Sequence, residues 1–141
     1  DLMVVNTKVL KDNPKLGRAL VGAWYETLQV MQGKGVPATT ALTAMAKASG
    51  TDLKGFNAQL ATTYMYWTPA AAVAAVNSPV LATTMDSVRK FSFDKGLLGE
   101  GAKTVDAVGI EFPGGKFLGN SKNVTMRFDA TYMKLAADGK L

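Results

Sequence analysis

The chain has 141 residues, of which 48% are hydrophobic and 19% charged, a composition typical of a globular protein with a core. It contains neither Cys nor His, which excludes disulfides, thiol nucleophiles, zinc sites and histidine acid–base catalysis within the chain. The net charge of +5 is spread along the whole length, whereas nucleic-acid binders cluster basic and aromatic residues. We therefore expect that the chain is not an enzyme, and that it binds no nucleic acid, metal or cofactor.

The first residues form a short apolar, β-branched segment, Leu2 to Val5, before the polar pair Asn6-Thr7. This pattern predicts one short buried strand. Natural chain termini are more often polar and loosely held, so the start at Asp1 indicates a piece of a longer protein. We expect residues 1–141 to form a single domain of that protein.

The clearest helix signal comes next, because Asn13 is a favourable N-cap residue and Pro14 suits the first helical position. We predict one helix over residues 14–32, ended by Gly33. Its apolar residues recur three and four positions apart and predict a buried stripe. The stripe consists of Leu16, Leu20, Trp24, Leu28 and Met31.

Four shorter helices are predicted after it from similar start signals. Pro37 opens the first, Thr51 or Asp52 caps the second, and the dipeptides Thr68-Pro69 and Ser78-Pro79 open the third and fourth.

The character of the chain changes after Gly99. Gly114-Gly115 lies between two short apolar segments and predicts a hairpin, and Val124–Met126 predicts an edge strand. Asp129 is expected to cap a last helix that ends at Gly139. The pattern predicts an α+β fold that is predominantly helical, with a short N-terminal strand and a small C-terminal hairpin.

Few residues suggest chemistry. The aromatic cluster Tyr64–Trp67 fits either a plug between helices, which we favour, or a ligand-binding wall. Glu26, beside Trp24 and Tyr25, is expected on the solvent face, because consecutive residues do not share a helix face. The glycines of Gly96–Gly101 lack the Lys-Ser/Thr ending of a phosphate-binding loop.

The order of these features resembles the nitrate/taurine-type periplasmic binding proteins of ABC importers. An apolar segment with Asn6-Thr7, the helix start Asn13–Leu16 and the run Val88–Leu98 with its Gly-Leu-Leu ending carry this resemblance. Further segments resemble one subgroup, the binding protein of the transporter associated with urea carboxylase. These segments are Trp24–Thr27, Ala48–Leu53, Ala58–Thr63 and Arg127–Met133.

The resemblance implies the C-terminal portion of a type II periplasmic-binding-protein fold, namely the returning hinge strand and the helical part of the first lobe. It implies a periplasmic protein that binds a urea- or guanidine-like compound between two lobes and delivers it to a membrane permease. Asn6 and Thr7 are then candidates for substrate binding near the cleft, and Tyr66 and Trp67 are further candidates from the aromatic cluster.

A self-contained helical protein-interaction module, using the stripe around Trp24, is the alternative. If Val4 and Val5 belong to a sheet whose other strands are missing, the open strand edge also predicts a homodimer.

Overall fold

A computed structural model describes residues 2–141 of the chain. It confirms the α+β class, since 56% of the chain is helical and three strands form a small sheet. The chain divides into two compact units: the first comprises the chain up to Pro69 together with Leu135–Leu141, and the second is Ala70–Lys134. The prediction that residues 1–141 are one domain of a larger protein stays a prediction.

The elements follow the predicted order with one addition at the N-terminus. The helices before Pro69 are α1 Thr7–Asp12, α2 Pro14–Gln32, α3 Val36–Ala48 and α4 Leu53–Ala61. The later elements are α5 Pro69–Asn77, α6 Pro79–Asp94, β1 Gly109–Phe112, β2 Lys116–Gly119, β3 Val124–Arg127 and α7 Thr131–Ala137.

The predicted N-terminal strand is wrong. Leu2 to Val5 belong to no sheet, and helix α1 begins immediately afterwards. The Asn6 side-chain oxygen accepts hydrogen bonds from the backbone N–H groups of Lys8 at 2.9 Å and Val9 at 3.3 Å, so it caps this helix. A β-branched segment forms a strand only where a neighbouring strand pairs with it, and residues 2–141 supply none there. The basis for a dimer through strand pairing is therefore lost, while the dimer itself stays a prediction.

Helix α2 begins and ends where the sequence predicts, from Pro14 to Gln32. Asn13 is its N-cap residue by position, although its side chain makes no capping hydrogen bond. Leu28 is buried, with only 3% of its surface exposed, but the predicted burial of Trp24 is wrong, because 45% of it is exposed.

Trp24 is exposed because the helices that pack against α2 do not cover its ring, although it lies on the predicted face. Gly17 and Leu28 are buried and eleven residues apart, close to three full turns, and Trp24 lies within about 40° of both around the axis. The predicted face is thus the correct one. Helices α1 and α3 both pack against α2, but the ring of Trp24 stays largely uncovered.

Three predicted helix caps are confirmed, and for α4 the cap is Asp52 rather than the alternative, Thr51. The Asp52 carboxylate accepts the Gly55 N–H at 2.7 Å and starts α4, and the Ser78 hydroxyl accepts the Val80 N–H at 3.2 Å and starts α6. The Asp129 carboxylate accepts the Thr131 N–H at 2.8 Å and starts α7. Each cap satisfies an N–H group that the first helical turn leaves without a partner.

The three-stranded sheet has the order β2-β1-β3. Strands β1 and β2 form the predicted antiparallel hairpin, and β3 pairs with β1 in parallel. Gly109 lies opposite Gly119, where a Cβ atom on either residue would collide with the carbonyl group of the strand segment facing it. These two glycines let the strands approach closely at the open end of the hairpin.

Ion pairs around Arg89 organise the second unit. The Arg89 side chain is 9% exposed, and its guanidinium donates to the Asp86 carboxylate at 2.6 Å. The guanidinium also contacts the carboxylate of Asp106, seventeen residues further along. Lys90 pairs with Asp86 as well, at 2.7 Å. Hydrogen bonds from Lys90 and then Arg89 hold the pKa of Asp86 below its usual 3.8. This cluster joins α6 to the loop that precedes β1.

The burial difference along α2 gives a stability prediction. Replacing Leu28 with Ala should lower the free energy of unfolding by about 2–5 kcal/mol, because it leaves a cavity where the side chain is buried. Replacing Trp24 with Ala should cost about 1 kcal/mol or less, because much of the ring already contacts solvent. Urea denaturation of both variants measures the difference. An equal loss in both would show that Trp24 is covered in solution.

The Arg89 cluster gives a pH-dependent prediction. Because the folded pKa of Asp86 is depressed, its contribution to stability is present above pH 3.8 and is lost as pH falls through the folded value. Asp86→Asn should therefore lower Tm near neutral pH, and its difference from wild type should shrink below pH 3.8. Asp94→Asn, on the same helix and exposed, is the control and should leave Tm nearly unchanged. A constant Tm difference for Asp86→Asn across this range would contradict the prediction.

Candidate functional site

An open groove of about 580 Å³ runs along one side of α2 in the first unit. Its floor comes from α2, one wall from the residues that lead into α5, and the other from the end of the chain. We call it the α2 groove. The lining residues are Gly22, Tyr25, Glu26, Gln29, Gln32, Trp67, Thr68, Pro69, Ala136, Gly139 and Leu141.

The helical period explains the floor. The residues of the floor lie within about 120° around the helix axis, so they form one broad face of α2. Gly22, Tyr25, Gln29 and Gln32 follow at intervals of three and four residues, and Glu26 lies four residues after Gly22 and three before Gln29. This face carries no branched apolar side chain. It is covered by Leu141 at Gly22 and is polar from Glu26 onward, so hydrogen-bonding side chains line the cavity.

Glu26 is the charged group of this groove. Its side chain is exposed, and no Lys or Arg within residues 2–141 lies at ion-pair distance from its carboxylate. Tyr25 beside it is half-buried, and burial raises the pKa of its phenol, so the ring stays neutral at physiological pH. A carboxylate without an ion-pair partner among residues 2–141 therefore lines the same groove as a neutral phenol and the amides of Gln29 and Gln32.

Trp67 supplies an aromatic wall. It belongs to the segment between α4 and α5 and is half-buried. Its neighbours in the aromatic cluster lie elsewhere: Tyr64 and Tyr66 contact each other edge to face, with ring centroids 5.1 Å apart. Both are exposed, at 82% and 46%, and neither lines the groove. Only one of the four residues of this cluster is thus part of the site.

A second cavity of about 520 Å³ continues along α2 towards its N-terminus, and we call it the N-terminal recess. It shares Gly22, Glu26 and Leu141 with the α2 groove and adds the basic residues Lys15 and Arg18. Leu141 lies over Gly22, with its Cδ1 atom 3.8 Å from the position a Cβ atom would take there.

The end of the chain is held in place by a specific hydrogen bond. The Arg18 guanidinium donates from Nη1 to the Lys140 carbonyl at 2.8 Å. Gly139, in the left-handed region at φ +66°, lets the chain turn after α7. Residues 139–141 therefore form part of the boundary between the two cavities.

The predicted site residues fall in different places. Asn6 caps α1 and Thr7 begins it, and neither lines the α2 groove or the N-terminal recess. Tyr66 packs against Tyr64, while Trp67 lines the α2 groove. The structure thus brings one of the four into the cavity, and the assignment of all four to substrate binding stays a prediction.

The sequence contains a periodic signal for the floor of the groove. Polar or small residues at Gly22, Glu26, Gln29 and Gln32 repeat with the helical period opposite an apolar stripe, which is the pattern of a face left free of packing. No local signal marked residues 136–141 as the opposite wall. Their position depends on contacts across more than a hundred residues, such as that between Arg18 and Lys140.

The side chains that line the α2 groove suit the binding of a small solute. Residues 2–141 contain no group of three or more acidic side chains arranged to hold a metal ion. The same residues include no helix whose length and hydropathy together would suit a bilayer. What the groove offers is one carboxylate, side-chain amides and aromatic surface, a combination that accepts N–H donors and positive charge.

No protein-family model, no curated protein and no solved structure matches this chain. The groove and the sequence motifs are therefore the observations from which a function is inferred.

Proposed function

We propose that this chain is part of the solute-binding component of an ABC importer, with a type II periplasmic-binding-protein fold, and that it acts in the periplasm. It binds a small nitrogen compound and presents it to the membrane permease. The resemblance of several motifs in the same order to the urea-carboxylase-associated binding proteins supports the family. The α2 groove supports the type of ligand.

The observation that carries the proposal is the Glu26 carboxylate, which lies in the groove without a cation among residues 2–141. A planar cation such as guanidinium donates two parallel N–H groups to a carboxylate, and it also stacks on an aromatic face such as that of Trp67. Urea has the same shape without the charge. We therefore expect guanidinium to bind better than urea.

The affinity of this chain alone should be low. A ligand of four heavy atoms gains at most about 6 kcal/mol, at the ceiling of about 1.5 kcal/mol per atom, and only when every group is satisfied. The α2 groove is open on one side, so a ligand in it keeps part of its surface in water. A second lobe that closes over the groove would supply the remaining contacts, and the ligand would then stabilise the closed state.

A protein-interaction module remains the second candidate, because Trp24 is exposed on α2 and Phe91 is exposed on α6. Large exposed apolar side chains mark surfaces that a partner can cover. This candidate needs no ligand in the α2 groove, so ligand binding separates the two.

Isothermal titration calorimetry on the 141-residue chain tests the proposal. Guanidinium should bind with a Kd in the millimolar range, and urea more weakly. Glu26→Gln should weaken guanidinium binding at least tenfold, because it removes the charge that the ligand contacts. Trp67→Ala should weaken it by a smaller factor, because an exposed cation–π contact contributes about 0.5–1 kcal/mol.

Two matched variants control for charge and for loss of an aromatic ring. Glu100→Gln removes one negative charge outside the groove, and Trp24→Ala removes the other tryptophan of the chain. Both should bind guanidinium as wild type does. If neither guanidinium nor urea binds, or if Glu100→Gln weakens binding as much as Glu26→Gln, the proposal is wrong.

A further inference from the structure

Charges of opposite sign lie at the two ends of the N-terminal recess, which adjoins the α2 groove. The two cavities adjoin, because Gly22, Glu26 and Leu141 line both. Lys15 and Arg18 stand at the N-terminal end, and Glu26 stands where the two cavities meet. The residues between the charges are small and carry no polar side chain; they are Ala19, Gly22 and Ala23.

The helix sets the spacing of the backbone positions that carry these charges. Arg18 and Glu26 are eight residues apart, which corresponds to about 12 Å along the axis. A charge-assisted hydrogen bond at each end occupies about 4 Å between the carbon atoms of the paired groups. A ligand that contacts both ends is therefore shorter than this backbone spacing, because the two side chains and their hydrogen bonds take up part of it. Two or three methylene groups between a carboxylate and a cationic nitrogen keep a ligand within that length.

Arg18 is already oriented for such a contact. One of its N–H groups donates to the Lys140 carbonyl, which fixes the guanidinium against the end of the chain. An arginine side chain has five N–H donors, so the remaining ones stay available. No carboxylate among residues 2–141 forms an ion pair with Arg18 or Lys15. The recess thus offers two cations without an anion, opposite a carboxylate without a cation.

We propose that the ligand is a short ω-amino or ω-guanidino acid, a zwitterion whose carboxylate pairs with Arg18 and Lys15 and whose cationic nitrogen group pairs with Glu26. Its methylene chain lies against Leu141, the side chain that covers Gly22. This inference rests on the proposed function and narrows its substrate class. A zwitterionic ligand would account for the placement of Lys15 and Arg18 in the recess next to the Glu26 carboxylate.

Calorimetry with three probes tests the inference: guanidinium, 3-guanidinopropionate and the uncharged amide of 3-guanidinopropionate. Wild type should bind the acid at least tenfold more tightly than guanidinium, because the acid engages both ends of the recess. The amide should bind about as weakly as guanidinium. In Arg18→Gln the acid should bind no more tightly than guanidinium does to the same variant, whereas Glu26→Gln should weaken the binding of both.

Control variants separate a local effect from a general one. Lys34→Gln removes one positive charge outside both cavities and should leave the preference for the acid intact. Arg18→Lys keeps the charge without the planar fork and should retain part of the preference. Circular dichroism melting of each variant checks that α2 is folded.

The possible failures are distinguishable. If guanidinium binds in a Glu26-dependent way but the acid binds no more tightly, the zwitterion inference is overturned and the proposed function stands. A preference for the acid that survives Arg18→Gln and Lys15→Gln also overturns the inference, because the carboxylate then binds elsewhere. If no probe binds, both proposals are overturned.

Discussion

The continuity of α2 is the constraint on which the rest of the first unit depends. Nineteen residues in one helix place Leu28 on the buried side and Glu26 on the open side at fixed positions relative to each other. The same helix sets the spacing between Arg18 and Glu26, and it offers Gly22 as the point where the end of the chain approaches. A break in this helix would uncouple the core from the groove, because both are faces of one element.

Burial in the described residues is modest. Six hydrophobic residues are buried, and three of them are alanines; the set is Leu28, Ala38, Ala46, Ala72, Ile110 and Phe112. A buried large side chain contributes about 1.5–3 kcal/mol, whereas alanine contributes little, so specific interactions such as the Arg89 cluster and the helix caps carry more weight in this chain. Exposed large side chains such as Trp24 and Phe91 are consistent with the proposal that further protein surface covers part of this chain.

The elements that were predicted correctly are those that depend on interactions between residues close together in the chain. The bounds of α2, the caps at Asp52, Ser78 and Asp129, and the hairpin at Gly114-Gly115 depend on residues a few positions apart, and all were predicted. Burial depends on what lies across from a side chain. The face of α2 on which Trp24 lies was therefore predictable from the helical period. The exposure of its ring was not, because it depends on which elements pack over that face.

The same distinction applies to the N-terminus and to the site. Leu2 to Val5 have strand-forming side chains, but pairing is decided by a partner strand that local sequence does not reveal. Trp67 was a candidate from its aromatic neighbourhood and does line the groove, while Asn6 is occupied as a helix cap. The wall formed by residues 136–141 arises from contacts between distant parts of the chain, which periodicity and caps cannot predict.

The most direct test of the α2 groove as the binding site is a nuclear magnetic resonance titration of the ¹⁵N-labelled chain with guanidinium. The chain has two tryptophans, so it gives two indole N–H signals, and the spectrum of Trp24→Ala assigns them. The account predicts a saturable shift of the Trp67 indole and of the backbone amides from Gly22 to Gln32, with the Trp24 indole unmoved. An unmoved Trp67 indole, or shifts centred on Asn6 and Tyr64 instead, would contradict it.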